Sequence, residues 1–264
     1  MRLNHYRNGH GDPLVLIHGI GSHWQMWEPV LDRLVAHRDV IALDLPGFGA
    51  SAMPPAGTPA GPKSLTGFVL EFLTDAGLER PHVAGNSLGG LIALELARRG
   101  QVRSAAALSP AGFASGPETA YARGSLWAGV RLARRIAPFA DGLMRSRAGR
   151  RLAVSQFVAH PTRMSAAAAA ADLRALAGAP WFDATLPTLR AGHFTGPIEA
   201  GVPVTIAWGE QDRLLLPRQA ARAARLMPTA RMVTLHGCGH VPPSDDPEQV
   251  ARVLLEASAA TEPR

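Results

Sequence analysis

Ser87, Asp212 and His240 are, by type, the three groups that together turn a hydroxyl into a nucleophile. A serine hydroxyl attacks poorly until a histidine takes its proton, and the histidine needs a carboxylate to hold its tautomer and stabilise the imidazolium that forms. Ser87 is the centre of Gly85-Asn86-Ser87-Leu88-Gly89, a G-x-S-x-G sequence between a strand-like run and a helix-like run. In that setting the chain leaves a strand, turns sharply with a strained serine at the apex, and enters a helix. Gly85 and Gly89 let the backbones approach, the Ser87 hydroxyl is left open, and the N–H of Leu88 points at the oxygen of whatever is attacked. The pentapeptide alone is weak evidence in a chain with 27 glycines among 264 residues, so its distant partners carry the argument.

Both partners fall just past the C-terminal end of a predicted strand. Asp212 closes Trp208-Gly209-Glu210-Gln211-Asp212, and His240 closes His236-Gly237-Cys238-Gly239-His240. A fourth part is His18-Gly19-Ile20-Gly21, whose loop can present the N–H of Ile20 beside that of Leu88 as an oxyanion hole; each such donor contributes about 3 kcal/mol. Glu210, and more remotely Asp245 and Asp246, are rivals to Asp212. His236 reads as a strand residue, His18 as a brace of its loop, Asp44 as an anchor of its turn, and Cys238 as a small filler.

The elements that must position these groups alternate. Strands are predicted at Leu3 to Tyr6, Leu14 to Ile17, Val40 to Leu43, Pro81 to Asn86, Ser104 to Leu108, Val202 to Trp208 and Arg231 to Leu235. Helices are predicted from Trp24 to Val35, from an N-cap at Ser64 to about Gly77, after Ser87 to about Arg99, from Pro217 to Met227 and from Pro247 to Ala257. Such alternation implies a parallel sheet covered on both faces, with ligands at the C-terminal ends of its strands. The rhythm breaks after Ser109. Helix-like segments follow instead at Thr119 to Ile136, Phe139 to Ala159 and Pro161 to Ala177, with a looser stretch through Trp181 and Leu189. The tail from Ser258 is expected to fray.

Composition narrows the function. A hydrophobic fraction of 47% and the length suit one large domain with an insertion. The net charge is +6, but every basic residue except Lys63 is arginine, scattered through alanine-rich helical stretches with few aromatics. That is not a nucleic-acid-binding pattern. No apolar run is long enough to span a bilayer, so stable membrane insertion is not expected. The polar N-terminal stretch and the single cysteine predict a cytoplasmic protein.

Taken together, His18-Gly19-Ile20-Gly21 with Trp24, Asp44-Leu45-Pro46-Gly47-Phe48-Gly49-Ala50-Ser51, Gly85 to Gly89, Gly209 to Asp212 and Gly239-His240 resemble the α/β-hydrolase superfamily, in its capped, serine esterase-like branch. The chain order Ser, Asp, His fits as well. The resemblance implies an α/β fold: a doubly wound, mostly parallel sheet with a helical cap inserted after the sixth-strand position. The N-terminus departs from the family by lacking its usual first strand, so about seven strands are expected. Residues 1–111 and 200–264 would form the core and 112–199 the cap.

The expected activity is a serine hydrolase that cleaves a small or medium carboxylic ester through an acyl-enzyme, without cofactor or metal. Carbon–carbon bond hydrolysis, haloperoxidase-type perhydrolysis and acyl transfer use the same three groups and stay open, as does a weakly catalytic ligand-binding protein on the same fold. Trp127, Phe139, Met144 and Trp181 are candidates to line the pocket. The arginine run from Arg131 to Arg151 reads as a solvated face. Neither the substrate nor the oligomeric state is set by the sequence.

Overall fold

A computed structural model describes residues 1–190, 194, 196, 198 and 201–259. Seven strands form one sheet: β1 (His5–Gly9), β2 (Pro13–Ile17), β3 (Asp39–Leu43), β4 (His82–Asn86), β5 (Ser104–Leu108), β6 (Val204–Gly209) and β7 (Arg231–Leu235), in the order β1-β3-β2-β4-β5-β6-β7. Only β1 runs antiparallel, against β3, and the other pairs are parallel. The central strands are buried along their whole length, which is why they read as continuous apolar or small runs rather than alternating ones. The expected doubly wound, mostly parallel sheet of seven strands is therefore the architecture found.

Helices α1 (Glu28–Val35), α2 (Pro62–Asp75) and α3 (Leu88–Arg98) cover the sheet in its first half, and α9 (Arg218–Leu226) and α10 (Pro247–Ala259) in its second. Two starts differ from expectation. Trp24–Trp27 is a 3₁₀ turn leading into α1. Helix α2 begins at Pro62 after Gly61, not at Ser64, because proline's fixed φ suits the first helical turn and needs no N–H there.

Between β5 and β6 the chain is helical: α4 (Gly116–Ile136), α5 (Ala140–Arg145), α6 (Arg147–Val154), α7 (Ala166–Gly178) and the short α8 (Phe182–Thr185). The single helix expected from Phe139 to Ala159 is broken at Ser146, whose extended backbone (ψ 142°) ends α5 and whose Oγ accepts the N–H of Gly149 at the start of α6. Ala133, Ala140, Met144, Ala169, Ala170 and Leu173 make a small core of this segment's own. Glu118 on α4 ties the segment to α9 through ion pairs with Arg218 and Arg222. The expected boundary at 199/200 and residues 260–264 of the expected tail lie outside the described residues, whereas Ser258 and Ala259, expected to fray, close α10, where Ser258 is buried and its Oγ donates to Leu255 O. Among the described residues no helix is long and apolar enough to cross a membrane.

Candidate active site

The sharp turn at Ser87 is held by its neighbours. Ser87 has φ 57° and ψ −115°, a conformation that costs a non-glycine residue about 1–3 kcal/mol and persists only where surroundings over-determine it. Here the Ser87 N–H donates to Leu108 O at 2.9 Å, while its carbonyl accepts the N–H groups of Leu91 (3.0 Å) and Ala111 (2.9 Å). The glycines are required by space. A Cβ on Gly85 would stand 2.1 Å from Gly89 O, and one on Gly89 would stand 2.1 Å from Ile17 O.

Asp212 and His240 come together from the ends of β6 and β7. His240 Nδ1 donates to Asp212 Oδ2 at 2.8 Å, and both residues are buried. The other carboxylate oxygen, Oδ1, accepts the N–H groups of Leu214 (2.9 Å) and Leu215 (2.8 Å), which fixes the plane of the group. With the proton on Nδ1, Nε2 is left free to act as a base. Ser87, His240, Ile20 and Asn86 all line one cavity of about 80 Å³, room for roughly five to eight water-sized groups. The cavity walls are mainly apolar, with Met26, Leu126, Val154, Phe157, Met164 and Leu214 among them.

Leu88 opens α3, so its N–H has no acceptor inside the helix. Neither the Leu88 N–H nor that of Ile20 meets a backbone acceptor among the described residues. The loop carrying Ile20 runs close to the serine: a Cβ on Gly19 would lie 3.1 Å from Ser87 Cβ. Two oriented N–H groups beside a free hydroxyl are the elements of an oxyanion-stabilising site.

The four pocket candidates lie elsewhere. Trp127 is half exposed with the Arg131 guanidinium 4.1 Å over its ring, and Phe139 is 71% exposed. Met144 fills the helical segment's own core, and Trp181 packs beside Gly47 at the edge of the main core. Only size and apolarity pointed to them, and those properties do not say which face of a helix is inward.

The remaining histidines and carboxylates have structural partners. His18 is fully buried; its Nδ1 donates to Gly19 O at 2.7 Å and its Nε2 accepts the Leu45 N–H at 2.9 Å. Burial pulls its pKa down to about 4, so the ring is neutral, as that pair of bonds requires. Asp44 accepts from Asn4 Nδ2, Trp24 N and Ala50 N, all within 2.8 Å, and anchors its turn. Asp245 accepts the N–H groups of Ala159, His160 and Gly239, binding the histidine loop to the chain after α6. His236 lies just past β7, not in it, and is exposed. Burial pushes the Cys238 thiol up to about 12.

Three further residues, Asn86, Asp172 and His23, contribute to the site. The Asn86 side chain donates to His240 O at 2.8 Å and Leu108 O at 3.1 Å. Asp172 on α7 lines the cavity, and its Oδ1 lies 2.9 Å from Nε2 of the buried His23. Burial disfavours the His23 cation, but the Asp172 carboxylate outweighs it and holds the pKa above the ordinary histidine value. Asn86 stood inside a recognised motif. Asp172 had no sequence signal, since its partner is 149 positions away.

A sequence model described as the alpha/beta hydrolase family matches residues 14–253. The chain is 31% identical over 244 residues to the dihydrolipoyllysine-residue acetyltransferase component of the acetoin cleaving system of Cupriavidus necator, covering 91% of this chain and 62% of that protein. It thus spans a little under two thirds of that relative's length. It is 32% identical over 259 residues to the pimeloyl-acyl-carrier-protein methyl ester esterase of Xanthomonas oryzae pv. oryzae, covering 93% and 94% of the two chains. The solved structure of a meta-cleavage product hydrolase from Pseudomonas fluorescens IP01 matches with a TM-score of 0.74 at 19% identity, over 98% of this chain and 95% of that one; at that identity the likeness is one of fold.

Proposed function

The chain belongs to the alpha/beta hydrolase family, and from that premise we propose that it is a serine hydrolase cleaving a small or medium carboxylic ester through an acyl-enzyme. The observation that carries this reading is the buried 2.8 Å bond between Asp212 and His240, on a cavity that His240 shares with the strained Ser87.

In this reading Ser87 Oγ attacks the ester carbonyl carbon while His240 Nε2 takes its proton. The charge that develops on the carbonyl oxygen meets the N–H groups of Ile20 and Leu88. Collapse of the tetrahedral intermediate breaks the bond to the alcohol oxygen, which leaves with the proton from His240. Water, deprotonated by the same histidine, then attacks the acyl-enzyme and frees the acid and Ser87. These steps call on no cofactor and no metal ion.

The described part of the proposed cap, α4 to α7, closes the cavity over the sheet, with Leu126 and Val154 on its inner wall. The cavity of about 80 Å³ supports a small acyl group, and the likeness to the Xanthomonas methyl ester esterase supports an ester. A single cysteine, which can form no disulfide within the chain, supports the reading of a cytoplasmic enzyme. The test is turnover of p-nitrophenyl esters of two to eight acyl carbons: the reading expects hydrolysis of the shorter members and its loss in Ser87→Ala, and full activity of that variant would overturn it.

A further inference from the structure

The charge on the cavity wall points to a substrate class, given the serine-hydrolase reading on which it rests. The chain has 27 basic residues against 21 acidic ones, yet among the described residues no arginine or lysine lines the cavity at Ser87. Its one carboxylate is Asp172, about one third exposed. The side chain of His23 stands against that carboxylate but is itself buried and is not part of the wall. With His23 protonated the pair sums to zero, and with His23 neutral it carries one negative charge. In neither state does the wall offer an unpaired cation.

We propose that Asp172 makes this site selective for esters whose acyl part carries no carboxylate, with a neutral aliphatic chain or a cationic group accepted in its place. A carboxylate entering this cavity gives up its hydration, finds mainly apolar walls with no unpaired cation to receive it, and meets a like charge wherever His23 is neutral. A neutral chain loses only apolar contact with water on entering, which favours binding. An ammonium group gains the Asp172 carboxylate as a charge-assisted partner. The same selectivity disfavours carbon–carbon hydrolysis of a substrate whose acyl part bears a carboxylate.

The experiment compares kcat/KM for p-nitrophenyl hexanoate, hemiadipate and 6-aminohexanoate, which are neutral, anionic and cationic at the far end of the acyl chain, on the full chain and on Asp172→Asn. The expected result is that the hemiadipate falls about 100-fold or more below the hexanoate, the scale of an uncompensated buried polar group. In Asp172→Asn the anionic ester should gain and the cationic ester lose, each by about tenfold relative to the hexanoate. The wild-type ratio stands without the variant. Hexanoate and hemiadipate turned over within threefold of each other, or ratios unmoved in a folded Asp172→Asn, would overturn the selectivity and leave the hydrolase reading intact. If none of the three esters is hydrolysed and a fluorophosphonate does not label the protein, both fall together.

Discussion

The side-chain amide of Asn86 donates to the carbonyl oxygen of His240 across 2.8 Å, joining the residue before Ser87 to the loop that presents the histidine. It also reaches Leu108 O on β5, so one buried amide fastens the ends of β4 and β5 to the histidine loop. Asn86→Ala leaves two carbonyls without that donor and is expected to cost about 1–3 kcal/mol of stability. Because the bond sets the spacing of Ser87 and His240, kcat should fall by more than KM rises. Denaturant unfolding and steady-state kinetics check the two effects separately.

Two glycine substitutions should move stability in opposite directions. Gly89→Ala drives a methyl group onto the Ile17 carbonyl, a rigid backbone contact, and is expected to destabilise by about 3 kcal/mol or more or to abolish folding. Gly67→Ala, in the exposed face of α2 with nothing within 4 Å of the added carbon, should stabilise by up to about 1 kcal/mol. Thermal unfolding of the two variants beside the parent decides both.

Acid should weaken the fold through His18 and His82, whereas His23, whose folded pKa is raised, works in the opposite direction. Folded His18 titrates near 4 because of burial, whereas a histidine in the unfolded chain titrates near 6.5. Between those values the unfolded chain binds the extra proton, so stability falls as pH drops from about 6.5 and levels off below about 4. The full loss from His18 is ~3 kcal/mol. His82, also pulled to about 4 by burial, loses stability over the same window. Urea midpoints at pH 7.5, 5.5 and 4.0 for the parent and for His82→Gln should show a steep parent slope that is reduced, not removed, in the variant.

Much of this architecture could be read in the sequence because each part of it is local. A buried parallel strand is a short apolar run, and six of the seven predicted runs end within two residues of their structural limits, some of them leading straight into a functional loop, as Leu14–Ile17 runs into His18-Gly19 and Val202–Trp208 into Gly209 to Asp212. The helical segment was legible only as helix. Trp127, Phe139, Met144 and Trp181 stand out by size, but in a segment that packs on the sheet, on itself and against solvent, size does not name the face that meets the cavity. Asp172 was hidden for the complementary reason. On an alanine-rich helix a charged residue reads as solvent-facing, and its contact with His23 exists only once the helix is laid over the loop after β2.

The central claim is that the Ser87 hydroxyl is the nucleophile, and its most direct measurement is the intact mass of the protein after reaction with a fluorophosphonate, followed by peptide mapping of the adduct. The account predicts one phosphonyl group per chain, located on Ser87, formed by the parent, absent from Ser87→Ala and strongly slowed in His240→Ala. An adduct of the same stoichiometry on Ser87→Ala, or one mapped to any other residue of the parent, would contradict it.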